Sequence, residues 1–515
     1  MEVTDFLTIL GLGLAVWALI QKKERKFVLL FFSKSQITAF IIGIIYLHYL
    51  FSFDWLRDNW FPFLNYFSFE KGIPNEIWAY IFSIILFGIP ILIVLFGFFS
   101  SSRRNELIDL YNSLLQENEI DLLVEYINKY HTENIKDYLI GLSHLPEKET
   151  IDLILRRRTE KDVEYENLIK PKRIKFAASV YGFIIQNENF INKAAPIYPK
   201  LFAKIFSGME TEKASNENLA KKFIESIFET KNQEFISELK IANNSNSSLD
   251  GINESYDIPI LHSILSHTKT AAKNSVWYPI GEKGVKSIKY DNEQKEFILK
   301  KYDGDLESEQ WNHKIHIAIV YFNYMVRETI YKDSESHMWL YYYRNFTDLL
   351  IETIPKKNNY DGSLGNPSFA HKLINDQTEN MRGWLELARE QKVTFRVIDT
   401  IKCLGYCLNA ICETKNKKIS EKFKINQLDL IISLWFTHSE SEEYENSSLT
   451  IEWLTTMFLN PRWVNQGGNE RTDNYIDLLE KSWTEFDKIP YRMHGQNDII
   501  EKFKREVLEP IGLGE

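Results

Sequence analysis

Apolar residues take two textures along the chain. In the first hundred positions they form unbroken runs, Phe6 to Ile20, Ile37 to Phe53 and Ile77 to Phe99, of 15, 17 and 23 residues. At 1.5 Å per residue, helices of these lengths cover about 22, 25 and 34 Å, against a hydrocarbon core near 30 Å. The third run carries no charge, starts after Glu76 and ends before Arg103-Arg104. It is long enough to span with some tilt, and Pro90 inside it is tolerable where neighbouring helices satisfy the freed carbonyl. Residues 1–104 therefore read as a transmembrane domain of three helices, or of two plus an interfacial helix formed by the short first run.

After Asn105 the runs give way to spacings of three and four. Leu107, Leu110, Tyr111 and Leu114 open the series, and Leu123, Tyr126, Ile127, Phe183, Phe190, Phe202, Phe206, Phe223 and Phe228 continue it. Such spacing predicts amphipathic helices joined by short polar turns, a membrane-proximal stack over 105–241. Asn134, Glu147, Asn189 and Ser215 sit near the expected helix starts. The polar stretch Ala242–Ser248 competes with regular backbone pairing and marks a boundary. A C-terminal helical region over 257–515 follows, with helical spacing at Ile258–Thr268, Ile315–Tyr331, Trp339–Ile354 and from Trp384 onward. Between 276 and 305 the texture shifts: Pro279, Gly281 and Gly284 read as a turn, and Phe297-Ile298-Leu299 as an extended piece. The fold class expected is thus all-α: membrane helices, then a large irregular, solenoid-like helical region with at most a small β-hairpin. No fixed repeat length recurs, so no named repeat family is assigned.

Charge sets the expected orientation. Lys22, Lys23, Arg25, Lys26 and Lys34 lie between the first two runs, whereas only Arg57 and Lys71 lie between the second and third, among Asp54, Asp58, Glu70 and Glu76. Lys and Arg retain short loops in the cytoplasm. The N-terminus is then periplasmic and everything beyond Arg104 cytoplasmic, in a multi-pass protein of a bacterial inner membrane. The bacterial assignment rests on Asn-, Lys- and Ile-rich usage. A cleavable signal peptide fits the first run poorly, because Glu2 and Asp5 replace its basic region and no small-residue site follows. The mean hydropathy of -0.28 conceals this partition. Residues 1–102 hold seven basic and seven acidic side chains, so the net charge of -10 belongs to the remainder. That balance argues against bulk nucleic-acid affinity, and three cysteines in 515 residues exclude a disulfide-stapled scaffold.

Several constellations are candidates for chemistry. Asn465, Gln466, Gly467, Gly468, Asn469 and Arg471 form the best ligand loop, combining permissive backbone with donors and acceptors ahead of an expected helix start. Arg156, Arg157, Arg158, Lys170, Lys172 and Arg173 form a basic patch suited to lipid headgroups or other phosphates. Three consecutive residues fan over about 200° of a helix, so the triplet cannot all meet one ligand. Trp55 and Trp60, in an aromatic loop with Phe61, Phe63, Tyr66, Phe67 and Phe69, suit a membrane interface, and more sharply an oligomerised pore lining. His48 is the one ionisable group in the spans besides tyrosines, and it lies near the expected outer end. His313 and His316 have a spacing that can hold a metal but lack a partner motif, and no metal or cofactor is assigned. Cys403, Cys407 and Cys412 read as core residues of one apolar helix, and most of Tyr321, Phe322, Tyr324, Trp339 and Tyr341–Tyr343 as core or rim. Phosphate-loop, dinucleotide-fold and serine-elbow patterns are absent from the sequence, which disfavours an ordinary nucleotide or serine hydrolase.

The expectation is a membrane protein whose partners are the bilayer and either another protein or a second copy. Its cytoplasmic helices bind a partner or ligand and couple that event to the membrane. A small membrane bundle joined to a large helical region is similar, at the level of architecture, to membrane effectors of bacterial anti-phage defence, which implies a pore-forming or membrane-perturbing effector as the alternative. A membrane-tethered nucleic-acid-binding protein or enzyme is the third class, with nucleic acid not favoured by the charge.

Overall fold

A computed structural model describes residues 11, 18–19, 21–59, 75–95, 103–143, 172–245, 248, 258–302, 306–332, 340–354, 368–440, 445–460, 473–487 and 497–513. Among the described residues every regular element is helical. The chain divides into two compact units, Met1–Ala194 and Ala195–Glu515.

The first unit starts with α1 (Lys22–Leu29), α2 (Lys34–Asn59) and α3 (Asn75–Leu95), followed by α4 (Arg104–Gln116), α5 (Ile120–Tyr130), α6 (Thr132–Ser143), α7 (Lys172–Gln186) and α8 (Glu188–Ala194). Helix α2 starts where Ser33 and Gln36 exchange bonds: the Gln36 N–H donates to Ser33 Oγ (3.1 Å) and the Ser33 N–H to Gln36 Oε1 (2.8 Å). This reciprocal cap satisfies donors that a helix start would otherwise leave open. Helices α2 and α3 pack together, burying Leu47, Leu50 and Ala79 against Phe51, Phe82, Leu86 and Phe87. Beyond the hairpin, α4–α7 close around Leu107, Tyr111, Leu114, Leu123, Ile127, Leu139, Val180 and Ile184. Asn118 turns the chain between α4 and α5 at φ 61°, a left-handed angle that Asn adopts more readily than most residues.

The second unit comprises α9 (Pro199–Phe206), α10 (Glu217–Glu229), α11 (Gln233–Asn243), α12 (Pro259–Leu265), α13 (Thr268–Lys273), α14 (Trp277–Tyr290), α15 (Asn292–Leu299), α16 (Lys314–Tyr331), α17 (Leu340–Thr353), α18 (Phe369–Glu390), α19 (Phe395–Glu413), α20 (Glu421–Ser439), α21 (Glu445–Leu459), α22 (Asp473–Asp487) and α23 (Asn497–Phe503). Asn216, Asn232, Asp291 and Ser420 each accept an N–H from the helix they precede. Helix α16 is apolar almost all round and lies at the centre, burying Ile315, Ile317, Ile319, Tyr321, Phe322, Tyr324 and Met325 against α11, α14 and α18. Helix α19 is a second core element, packed between α17, α18 and α21.

The extended pieces expected between 276 and 305 are helical: residues 277–290 form α14 and 292–299 form α15. Pro279 lies in the first turn, where its missing N–H costs nothing. Gly281 and Gly284 serve close approach. A Cβ at Gly281 would stand 2.6 Å from the Tyr342 ring, and one at Gly284 3.0 Å from that of Phe346. They let α14 seat on α17, and make no turn.

Candidate functional site

The hairpin is where the fold departs from ordinary protein packing. Lys34–Ser52 and Ile77–Val94 are the two described helical segments long and apolar enough to cross a membrane, with mean hydropathies of 1.4 and 2.5. Only 17 % and 11 % of their residues are buried. Ile84, Ile85, Ile89, Ile91 and Leu92 are each about half exposed on α3, as are Ile41, Ile42 and Ile45 on α2. Ser83, the buried polar residue of α3, donates to the Ala79 carbonyl one turn back (2.7 Å), so its hydroxyl is satisfied within the helix. His48 is exposed on α2. Among the described residues these are the two segments that meet that length and hydropathy; residues 6–20, read as a third or interfacial run, lie mostly outside the described set.

Both ends of the hairpin are tied to the helices that follow. The Arg103 guanidinium donates from Nε to the Phe32 carbonyl (3.2 Å) and pairs with Glu106, so entry and exit meet. Phe27 of α1 stacks on Tyr126 of α5 with ring centroids 3.8 Å apart, and Phe31 meets Tyr130 edge-on at 5.6 Å. Lys23 pairs with Glu117 at 2.5 Å and Glu119 at 3.0 Å.

The residues singled out in sequence are distributed unevenly. Asn465, Gln466, Gly467, Gly468, Asn469 and Arg471, the proposed ligand loop, lie outside the described residues, as do Arg156, Arg157, Arg158, Lys170 and Trp60. Lys172 and Arg173 open α7 and Trp55 lies within α2, with their side chains outside the described set. His313 precedes α16 and stacks on Phe297 at 3.3 Å between centroids, while His316 is buried against Trp311. Burial holds the His316 imidazole well below its ordinary pKa, and Lys372 and Lys240 add to that, surroundings that repel a cation. Among the described residues no three His, Cys, Asp or Glu side chains gather as a metal set. Cys403, Cys407 and Cys412 are all buried on α19, and burial pushes the Cys412 thiol up to about 12. Of the tyrosine triplet, Tyr342 and Tyr343 are core and Tyr341 is 62 % exposed.

The second unit also holds an open cleft that the sequence did not announce. It has a volume of about 440 Å³ and is lined by Glu229, Lys283, Lys286, Ser287, Tyr290, Asp291, Asn292 and Lys314. Glu229, from the end of α10, receives both Lys283 of α14 (2.7 Å) and Lys314 of α16. Burial pushes the Glu229 carboxyl up, but these two ammonium groups outweigh it and hold the group below its ordinary value. Lys283 also bonds Glu225 at 2.8 Å. Lys286 and Tyr290 are exposed at the rim, and Lys286 has no ion pair among the described residues. Ser287 donates its hydroxyl to the Gly284 carbonyl (2.7 Å), and neither His nor Cys lines the cleft. The arrangement offers a polar ligand charge and hydrogen-bonding groups from Lys286, Tyr290, Asp291 and Asn292. Its partners come from helices 85 residues apart, which local spacing cannot reveal.

Comparison with known protein families, curated proteins and solved structures finds no match to this chain.

Proposed function

We propose that the protein is a multi-pass protein of a bacterial inner membrane whose cytoplasmic helices bind a partner protein or ligand and couple that event to the bilayer. The single observation that supports this reading is the unburied apolar hairpin. A water-soluble protein buries its most apolar helix, whereas Ile77–Val94 keeps its isoleucines outward. Five half-exposed aliphatic side chains forgo on the order of 5 kcal/mol of transfer free energy in water, which a lipid surround returns. The basic residues between positions 22 and 34 and at 103–104 favour the cytoplasm for the 22–34 segment and for everything beyond Arg104. In this reading the stacked helices of the second unit form a solenoid-like receptor surface, and their lysine–carboxylate cleft is the surface assigned to a polar, charged partner.

Membrane fractionation tests the anchor, and labelling tests its direction. The full chain should resist alkaline carbonate extraction. Because Cys403, Cys407 and Cys412 are buried, an added cysteine reports almost alone. Asn65→Cys should react with an impermeant maleimide in intact spheroplasts, and Lys200→Cys only after lysis. Extraction by carbonate, or the reverse labelling, would end the proposal. A pull-down of the detergent-extracted protein, repeated with Lys286→Glu, tests the cleft: a stoichiometric partner should be lost with that variant.

A further inference from the structure

We propose that the entry to the hairpin is a selective surface for anionic phospholipid headgroups, formed by Lys22 and Lys26 of α1 and by Lys34 at the start of α2. This rests on the membrane reading of α2 and α3 and names the lipid chemistry they would sit in. The surface has two faces with distinct jobs. On the inner face of α1 and the turn that follows it, Phe27, Leu30 and Phe31 are buried, and the Phe27–Tyr126 stack and the Lys23 ion pairs hold the helix to α5 and to the turn between α4 and α5. On the outer face, Lys22, Lys26 and Leu29 stand in a row at i, i+4 and i+7 and are exposed, as is Lys34. None of these three lysines has an ion pair among the described residues, whereas Lys23 and Arg103 nearby are paired with Glu117, Glu119 and Glu106.

The same row ends on an exposed leucine, Leu29 at 39 %, and leads directly into the apolar surface of α2. Charge above and hydrocarbon below is the profile of a leaflet boundary, where lysine stems cover apolar surface and ammonium groups reach phosphates. Because the Arg103–Phe32 bond joins the two ends of the hairpin, these lysines are held at the level where both spans leave the bilayer. A cation held near an anionic leaflet is worth about fivefold in affinity, so three distinguish anionic from zwitterionic lipid strongly. Their continuity with the apolar helices favours lipid over a soluble polyanion.

The full chain in detergent micelles doped with equal phosphatidylglycerol and phosphatidylcholine of the same acyl chains, read by native mass spectrometry, tests this. Wild type should retain phosphatidylglycerol over phosphatidylcholine by tenfold or more, a ratio that falls with added salt. The K22Q/K26Q/K34Q variant should fall to within about twofold of parity. A charge-matched K269Q/K289Q/K417Q variant should keep the wild-type ratio, and its thermal melt, with that of the first variant, controls for folding. Equal retention of the two lipids by wild type, or an unchanged ratio in the first variant, would overturn the proposal. So would a single-stranded RNA that binds the chain in purely zwitterionic nanodiscs through the same three lysines. Failure of carbonate resistance would instead remove the membrane reading beneath it, so the two failures are distinguishable.

Discussion

Ile85 lies at the middle of the Ile77–Val94 segment, and 49 % of its surface is exposed. In water, Ile85→Asp would replace an exposed apolar side chain by a soluble one on a helix surface, within about 0.5 kcal/mol of neutral. In a bilayer the same change moves the residue from about -0.5 to about +3 kcal/mol on the insertion scale, a loss of roughly 3–4 kcal/mol. Ile89, one turn on and 52 % exposed, sits on the same face, so Ile85→Asp with Ile89→Asp should approach twice that loss. Ile77, eight residues and about 12 Å toward the edge, should tolerate Asp far better, because a charge near the interface costs little. The readout is the carbonate-resistant fraction and the abundance of the full chain in cells. The expected order is wild type, then Ile77→Asp, then Ile85→Asp, then the double variant, with Ile85→Leu like wild type. If all of these partition alike, or if the double variant is simply a more soluble protein of normal abundance, α3 is not a membrane span.

Three further outcomes follow from the helical units. Glu238 is buried and accepts from the Ile260 and Leu261 N–H groups at 3.1 and 2.8 Å, and burial pushes its carboxyl up to about 7. Between about pH 4.5 and 7 the folded state keeps a proton that the unfolded chain releases, so raising pH through that window should cost up to about 3 kcal/mol; urea titrations should show Glu238→Gln flattening the slope. Burial lowers His131 to about 3 and His371 and His438 to about 4, so their folded pKa values lie below the unfolded one; stability from each is complete above pH 6.5 and is lost as pH falls toward 4, and circular dichroism should show a cooperative acid transition that His438→Phe moves downward. Gly281→Ala presses a methyl into the Tyr342 ring and should destabilise by about 1–3 kcal/mol, whereas Gly383→Ala, with nothing within 4 Å, should gain up to about 1 kcal/mol; opposite shifts in melting temperature check the pair.

Residues whose environment is local were legible in the sequence. The charge-free run through α3 and the three-and-four spacing of α4, α5 and α16 need only chain-neighbour physics, and they are helices in the structure. Residues 277–286 show where that reading breaks down. Pro279, Gly281 and Gly284 carry turn chemistry when read alone, and only the rings of Tyr342 and Phe346, some sixty residues on, reveal that the glycines exist for close packing. The cleft failed for the same reason. Glu229, Lys283 and Lys314 are unremarkable in their own helices, and their meaning lies in the meeting of α10, α14 and α16. Ser215 was expected near a helix start, and the capping residue is its neighbour Asn216, a one-residue offset of the kind that helix ends commonly show.

The Arg103–Phe32 bond has a practical consequence. Its partners are 71 residues apart in sequence, yet a single arginine side chain reaches from one to the other. Topologically, the hairpin is an excisable module inserted between neighbouring points of the backbone. Residues 33–102 could be replaced by a linker of about three residues, since three extended residues reach roughly 10 Å. With residues 1–20 removed as well, the product would keep α1 on α4 and α5 while shedding both the hairpin's apolar surface and the first apolar run, and would yield the remaining helices as a reagent free of the bilayer.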